Sequence, residues 1–350
     1  MDLYDIINSI RSPDASCMEV VRSYFHDFVQ PAGSFGDLES YVIRLAGIAR
    51  TTMPDISKRA LLVFCADHGV CKELDEMSSQ ETQAAVENLV NGTSGTSILC
   101  DVFDVELMVA DIGMQMHFAH PDVQNFRICE GSGNIRIEDA MTLKQAQEAI
   151  CRGIVFSQEA IVRGNGIIGV GTVHNSGILP GIAVLSALTG IDTDMLVEDD
   201  ASALGESQQK RFILRDAMRR CKPKASEVLR ILSKFGGFDL CAMVGAYLGA
   251  AAANVPIVLD GYTSCIAALA AVRLAPRVQP FLFASHMADQ PGSRLVFSEL
   301  GLSPPLSLHI KLGEGSGCPM MFSLLDAACA LFFERASQMH SDLKNTFDMQ

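Results

Sequence analysis

The 350 residues contain no tryptophan, no C-x-x-C pair and no apolar run approaching the length of a membrane span. The missing tryptophan carries no implication by itself. Without paired cysteines a zinc site of the usual kind is not expected, and none of the cysteine spacings reads as a disulfide framework. The eleven cysteines are instead scattered from Cys17 to Cys329. In a chain this long they predict reduced thiols, mostly in the core, and a cytoplasmic protein. The opening stretch carries acids early and no basic segment ahead of an apolar one, so no signal peptide is expected. Positive charge is also scarce: 27 Lys and Arg stand against 41 Asp and Glu, a net charge of −14. A nucleic-acid backbone is therefore excluded as a natural partner, and an anionic substrate would need local donors. No G-x-S-x-G elbow, Walker loop or G-x-G-x-x-G dinucleotide turn is present, nor any internal repeat or low-complexity linker.

Short apolar runs alternate with helical patterns. Residues 1–50 read as helices, with Met18, Val21, Tyr24, Phe25 and Phe28 at helical spacing and a second stripe at Leu38, Tyr41, Val42, Leu45 and Ile48. Strands are predicted over 60–65, 105–110, 166–169, 256–259 and 281–284, with helices over 81–90, 142–162, 178–188, 206–220, 226–234, 240–252 and 266–275. Residues 114–135 read as irregular. This alternation predicts an α/β fold with a parallel sheet flanked by helices. Ligands of such sheets sit beyond the carboxyl ends of the strands. The polar and glycine-rich turns follow strands here: Asp67-His68-Gly69, Asp111-Ile112-Gly113, the turn 169–177, Asp260-Gly261 and Ser285-His286.

The most suggestive stretch is Leu312-Gly313-Glu314-Gly315-Ser316-Gly317, followed by an apolar helical run over 320–333. Glycines allow positive φ and close approach to backbone, and a glycine-rich turn entering a helix presents free N–H groups. Glu314 is then either a tightly placed general base or a solvated carboxylate on a surface turn. Asp67 and His68 form either an acid–base pair or a loop cap beside a structural imidazole. Asp260 either faces a ribose hydroxyl or caps the next helix. His174 either contacts phosphate or is structural. The acidic run Glu198-Asp199-Asp200 reads as a solvated loop rather than a metal site. Met114, Met116 and His117 read as packing residues rather than soft metal ligands.

Several stretches in one order resemble the nicotinate-nucleotide:dimethylbenzimidazole phosphoribosyltransferases, the family that activates the lower ligand of cobamides. Gln30-Pro31-Ala32-Gly33-Ser34-Phe35-Gly36-Asp37-Leu38-Glu39 resembles K-P-x-G-S-L-G-x-L-E, and Ala66-Asp67-His68-Gly69-Val70 matches A-D-H-G-V. Asp111-Ile112-Gly113, Asp139-Ala140-Met141-Thr142, Gly236-Gly237-Phe238-Asp239, Asp260-Gly261-Tyr262 and Ser285-His286 resemble D-V-G, P-A-M-T, G-G-x-E, D-G-F and S-H. Residues 312–317 match L-G-E-G-S/T-G. The resemblance spans about residues 25–335.

The resemblance implies a large α/β domain over 51–318 and a small helical domain from 1–50 plus 319–350, usually in a dimer. It implies transfer of 5-phosphoribose from nicotinate mononucleotide to an aromatic base, with Glu314 as catalytic base and neither metal nor cofactor. The nucleotide would lie against Gly171, His174, Asn175, Ser176, Asp260, Ser285, Gly313, Gly315 and Ser316. The acceptor would meet Met77, Ala84 and Leu312. Departures from the pattern are also plain. Val170 stands where G-E-M-G-I-x-N-T-T has its acid, the stretch 199–202 replaces a G-T-G, and Ala288 replaces a serine. Some relatives use phenol or p-cresol and work as heterodimers of unlike paralogues, so the alternatives are a benzimidazole enzyme, a phenolic one, a catalytically weak paralogue supporting an active partner, or a nucleotide-binding regulator.

Overall fold

A computed structural model describes the chain apart from residues 1–2, 29–32, 75–77, 176–177, 199–203 and 348–350. Met77, Ser176, residues 199–202 and part of the first family-like motif therefore lie outside the described residues.

Six parallel strands form one sheet: β1 (Arg59–Ala66), β2 (Glu106–Gly113), β3 (Val123–Asn125), β4 (Ile167–His174), β5 (Ile257–Leu259) and β6 (Leu282–Ala284), in the order β3-β2-β1-β4-β5-β6. The helices, in chain order, are α1 (Leu3–Ser9), α2 (Ala15–Phe28), α3 (Asp37–Ala49), α4 (Ser79–Val90), α5 (Gly95–Val102), α6 (Leu143–Val162), α7 (Ile178–Thr189), α8 (Leu204–Arg220), α9 (Val228–Phe235), α10 (Phe238–Ala252), α11 (Tyr262–Leu274), α12 (Ser293–Leu300) and α13 (Cys318–Phe347). The predicted α/β class with a parallel sheet is the one observed.

Strand β1 is central, paired with β2 on one side and β4 on the other, and every residue from Ala60 to Ala66 is buried. Burial on both faces explains why its sequence is a continuous apolar run rather than an alternating one. Ala66 is level with both Gly113 and His174, so β1, β2 and β4 end together. Strand order reverses between β1 and β4. A crevice opens at such a reversal beyond the strand ends, and there the fold places ligands.

Helix α10 is buried along its length and packs on α6, β1, β2 and β4. On the other side, α13 begins beneath the sheet, with Cys318 against Gly169, and its later turns meet α3. Phe332 of α13 packs edge-on to Tyr24 at 4.9 Å and on Phe25 at 5.5 Å, so the two chain ends share one apolar cluster. Helix α1 lies elsewhere, against α6 and α10. No helix among the described residues is long and apolar enough to cross a membrane.

Two local expectations are corrected. Residues 123–125 form an edge strand in the stretch read as irregular, and β4 runs to His174 rather than stopping at Gly169. Gly171 is therefore a strand residue, held by its register opposite Val63 of β1.

Candidate active site

The 313–317 loop passes over Gly171 in the middle of β4 and the carboxyl end of β5, just before α13. Gly313, Glu314 and Gly315 take φ of 73°, 60° and 86°, three left-handed residues in succession. Glycine adopts this region freely, whereas for Glu314 it costs on the order of 1–2 kcal/mol. Asp260, just after β5, holds the loop in that shape. Its Oδ2 accepts from the Gly315 N–H at 3.0 Å and its Oδ1 from the Gly317 N–H at 2.8 Å. The strand beneath leaves room only for backbone: a Cβ on Gly171 would lie 2.2 Å from the Gly315 nitrogen, and one on Gly317 would lie 2.3 Å from His286 Nδ1.

This clamp delivers the Glu314 side chain, itself buried, into a cleft of about 270 Å³. Burial pushes the carboxyl above its usual range, and the nearby Asp260 charge pushes the same way. The hydroxyls of Thr96 and Ser94, at the start of α5, pull against the rise. Glu314 Oε2 and Thr96 Oγ1 have no hydrogen-bond partner. A raised carboxyl that lines a cleft and has one oxygen unpartnered has the properties of a general base.

Gly171, His174, Asp260, Leu312 and Gly313 line the same cleft as Glu314. Other expected site residues stand behind its wall. Asn175 is fully buried; its Oδ1 accepts from the His68 N–H at 2.6 Å and its Nδ2 lies 3.2 Å from Cys71 Sγ. Ser285 Oγ is 3.0 Å from His286 Nδ1, beneath Gly317. Gly315 packs on Leu61, and Ser316 is buried with its hydroxyl unpartnered. Ala84 is on the exposed side of α4, while its neighbour Ala85 lines the cleft. Thr172, Tyr262, Thr263, Gln290 and Lys311 also line it and were not anticipated. Position after a strand was an available signal for Thr263, which follows Asp260-Gly261; Lys311 had only its proximity to the glycine motif.

Deeper, the turn after β1 forms a second polar cluster. Asp67 Oδ2 accepts from the Gln115 N–H at 2.6 Å, and burial raises this carboxyl. His68 Nε2 lies 3.4 Å from Asp239 Oδ2, and Thr172 donates to the same Asp239 oxygen at 2.9 Å. Asp239 is fully buried; despite that burial, His68 chiefly, and then His174, hold its carboxyl down at about 2. Val170, two residues before Thr172, is wholly buried within β4. Among the described residues no group of three His, Cys, Asp or Glu side chains is arranged to hold a metal ion.

A cleft at a sheet reversal, with a buried carboxylate clamped over it, suits an enzyme of group transfer, and sequence comparison agrees. A family profile described as phosphoribosyltransferase matches residues 10–341. The nicotinate-nucleotide–dimethylbenzimidazole phosphoribosyltransferase of Escherichia coli K12 is 34% identical over 333 residues, covering 94% of this chain and 93% of that protein. The crystal structure of the Thermus thermophilus enzyme of the same name superposes with a TM-score of 0.87 at 28% identity, covering 93% of this chain and 98% of that one. A second structure from that organism, named CobT, gives a TM-score of 0.86 at 28% identity over 92% and 98% of the two chains. The chain belongs to the nicotinate-nucleotide–dimethylbenzimidazole phosphoribosyltransferase family, and it is a glycosyltransferase of the pentosyl type.

Proposed function

We propose that the chain moves 5-phosphoribose from nicotinate mononucleotide to an aromatic base, benzimidazole or phenol, giving an α-riboside phosphate for cobamide assembly. The observation that carries this reading is Glu314, raised by burial and clamped into the cleft with one oxygen unused. In the reaction the C1′–N bond breaks and its electron pair returns to the pyridinium nitrogen, so nicotinate leaves with a neutral ring. The acceptor nitrogen or oxygen bonds to C1′ and gives its proton to Glu314. The transition state has the oxocarbenium character common to glycosyl transfer. The acceptor wall is apolar: Ala85, Ile310 and Leu312 line the cleft, and Leu312 packs against Gly95 of α5. Such a wall suits a flat aromatic ring of either kind.

The chain works in the cytoplasm as a dimer in this reading, with a second copy or an unlike paralogue. Ile98 and Val102, one turn apart on α5, are exposed and offer an apolar contact. A second reading, a weak paralogue supporting an active subunit, is favoured by Val170, an apolar residue where the family pattern has an acid. Nicotinate release is the test, measured for the purified chain with benzimidazole and with phenol. Release by the chain alone is expected. Release only after a paralogue is added would sink the lone-enzyme reading in favour of the second.

A further inference from the structure

The proposed nucleotide carries a phosphate into a cleft whose surroundings are acidic. Asp67, Asp111, Asp239 and Glu314 all act electrostatically on the buried Cys65 thiol of β1. Burial raises Asp67, Asp111 and Glu314, whereas Asp239 alone of the four is held below the usual range. A wholly buried carboxylate stays ionised only where donors or a cation compensate it. The Thr172 hydroxyl is shared between Asp239 and the Phe64 carbonyl, both at 2.9 Å, and Asp239 Oδ1 has no partner. The groups that hold the Asp239 carboxyl down are the two imidazoles, His68 first and then His174.

Their arrangement is specific. His68 is buried, neither of its ring nitrogens has a hydrogen-bond partner, and its Nε2 stands 3.4 Å from Asp239. Gly237 makes that approach possible, since a Cβ there would lie 2.1 Å from His68 Cε1. The His68 and His174 rings meet edge to face, with centroids 5.7 Å apart. Asn175, next to His174, binds the His68 backbone and locks the two turns together. Among the described residues the other titratable groups against the cluster are Asp67 after β1, Cys65 within it, Cys71 through Asn175 and Cys241 in α10, and Asp260, His286, Lys311 and Glu314 share the cleft with His174. Of the two imidazoles only His174 lines the cleft.

We propose that Asp239 and His68 are positioning residues that keep His174 as an imidazolium at the cleft floor, where it binds the phosphate of the incoming nucleotide. Resting on the donor proposed above, this assigns the phosphate's counter-charge to the half-buried His174, with the buried pair Asp239 and His68 behind it. Dissociation constants measured by calorimetry on the full chain test it, with nicotinate mononucleotide and its phosphate-free riboside as ligands. Asp239→Asn should weaken the mononucleotide by about tenfold, the scale of one charge-assisted hydrogen bond, and leave the riboside within about twofold. His174→Arg puts a permanent positive charge in place of the imidazole. In that background Asp239→Asn should have no further effect, because a guanidinium keeps its charge unaided.

Equal weakening of both ligands by Asp239→Asn, or weakening that persists beside His174→Arg, would overturn the proposal. His68→Gln offers the same phosphate-selective loss if Asp239→Asn does not fold. The wild type gives an independent reading: imidazole nitrogen spectra should show His174 doubly protonated at pH 7, and a neutral ring there overturns the proposal without any variant. Failure of the donor assignment looks different, since the wild type would then neither bind the mononucleotide nor release nicotinate with either acceptor, alone or with a paralogue.

Discussion

Replacing Gly171 by alanine tests whether Glu314 works because the strand beneath it is bare. The φ of Gly171 is ordinary for any residue, so an alanine there meets no backbone strain; it meets atoms. Its Cβ would stand 2.2 Å from the Gly315 nitrogen and 2.5 Å from the Glu314 carbonyl carbon, where contacts under 3.0 Å essentially never occur. Both neighbours are backbone, and β4 is fixed by β1 along its length, so the loop must lift by about 1 Å. Displacement of a reacting group on that scale costs on the order of 10²-fold in rate. Overpacking should also cost about 1–3 kcal/mol of stability. Gly313→Ala separates the two causes: nothing lies within 4 Å of its Cβ, but its φ of 73° disfavours alanine by on the order of 1 kcal/mol. The assay is nicotinate release under saturating donor and acceptor, with thermal unfolding alongside. Gly171→Ala turning over within threefold of the wild type, or falling no further than Gly313→Ala, would refute the idea that strand and loop backbone contact sets the base.

Glu314→Gln should cut turnover by about 10²- to 10⁴-fold, the usual scale for losing a general base, with donor binding largely kept; turnover near normal would remove Glu314 from that role. The same variant should respond to pH in stability. The Glu314 carboxyl is raised in the folded chain, so its contribution is fully present below the unfolded value and is lost as pH rises through the folded one. Glu314→Gln should therefore raise the melting temperature at pH 7 relative to the wild type, with the gain vanishing in acid; a gain of equal size at pH 4 would contradict this. The wild-type rate should fall with acid through a pKa above the ordinary carboxylate range, read from the pH profile of kcat. Asp260→Asn should slow turnover through the loop, because one amide-accepting oxygen becomes an NH2 facing a peptide N–H, at about 1–3 kcal/mol; an unchanged rate would show that the loop holds its shape without that carboxylate.

The sheet was readable because its strands are buried on both faces and are therefore unbroken apolar runs, as at residues 60–66. Strand β3 was not, being three residues at the sheet edge with only Val123 buried. Helix α5 escaped notice for a related reason. Ser94, Gly95, Thr96 and Ser97 read as turn chemistry, yet Ser94 is the N-cap, accepting from the Ser97 N–H at 3.0 Å. Missing that helix concealed Thr96, the hydroxyl nearest in effect to Glu314. The glycine hexapeptide was legible as a tight turn, but the partner of its amides, Asp260, lies 55 residues earlier than Gly315. No periodicity reports a contact of that separation. The one-residue difference between Ala84 and Ala85 is a matter of which face of α4 turns inward, and a short ungapped alignment does not resolve it.

Glu314 sits in a backbone conformation that its own side chain opposes, and the reason lies in how the loop is tied. A glycine at 314 would remove the strain but leave no carboxylate; an unstrained turn would point the side chain elsewhere. The two Asp260 hydrogen bonds are together worth about 3–6 kcal/mol for a charged acceptor. That exceeds the cost of the left-handed residue, on the order of 1–2 kcal/mol. The loop is therefore set before any ligand arrives, and its position does not depend on substrate contacts. Preorganisation of that kind matters most where the acceptor is a weak acid held only by an apolar wall, since such a ring cannot itself draw a base into line. The clamp thus predicts that changes to the acceptor wall at Ala85 or Leu312 alter acceptor KM while leaving the rate at saturation nearly intact, whereas changes at Asp260 or Gly171 do the reverse. A Leu312→Ala variant that lost turnover at saturating acceptor, with KM unmoved, would show that the wall and the base are not separable.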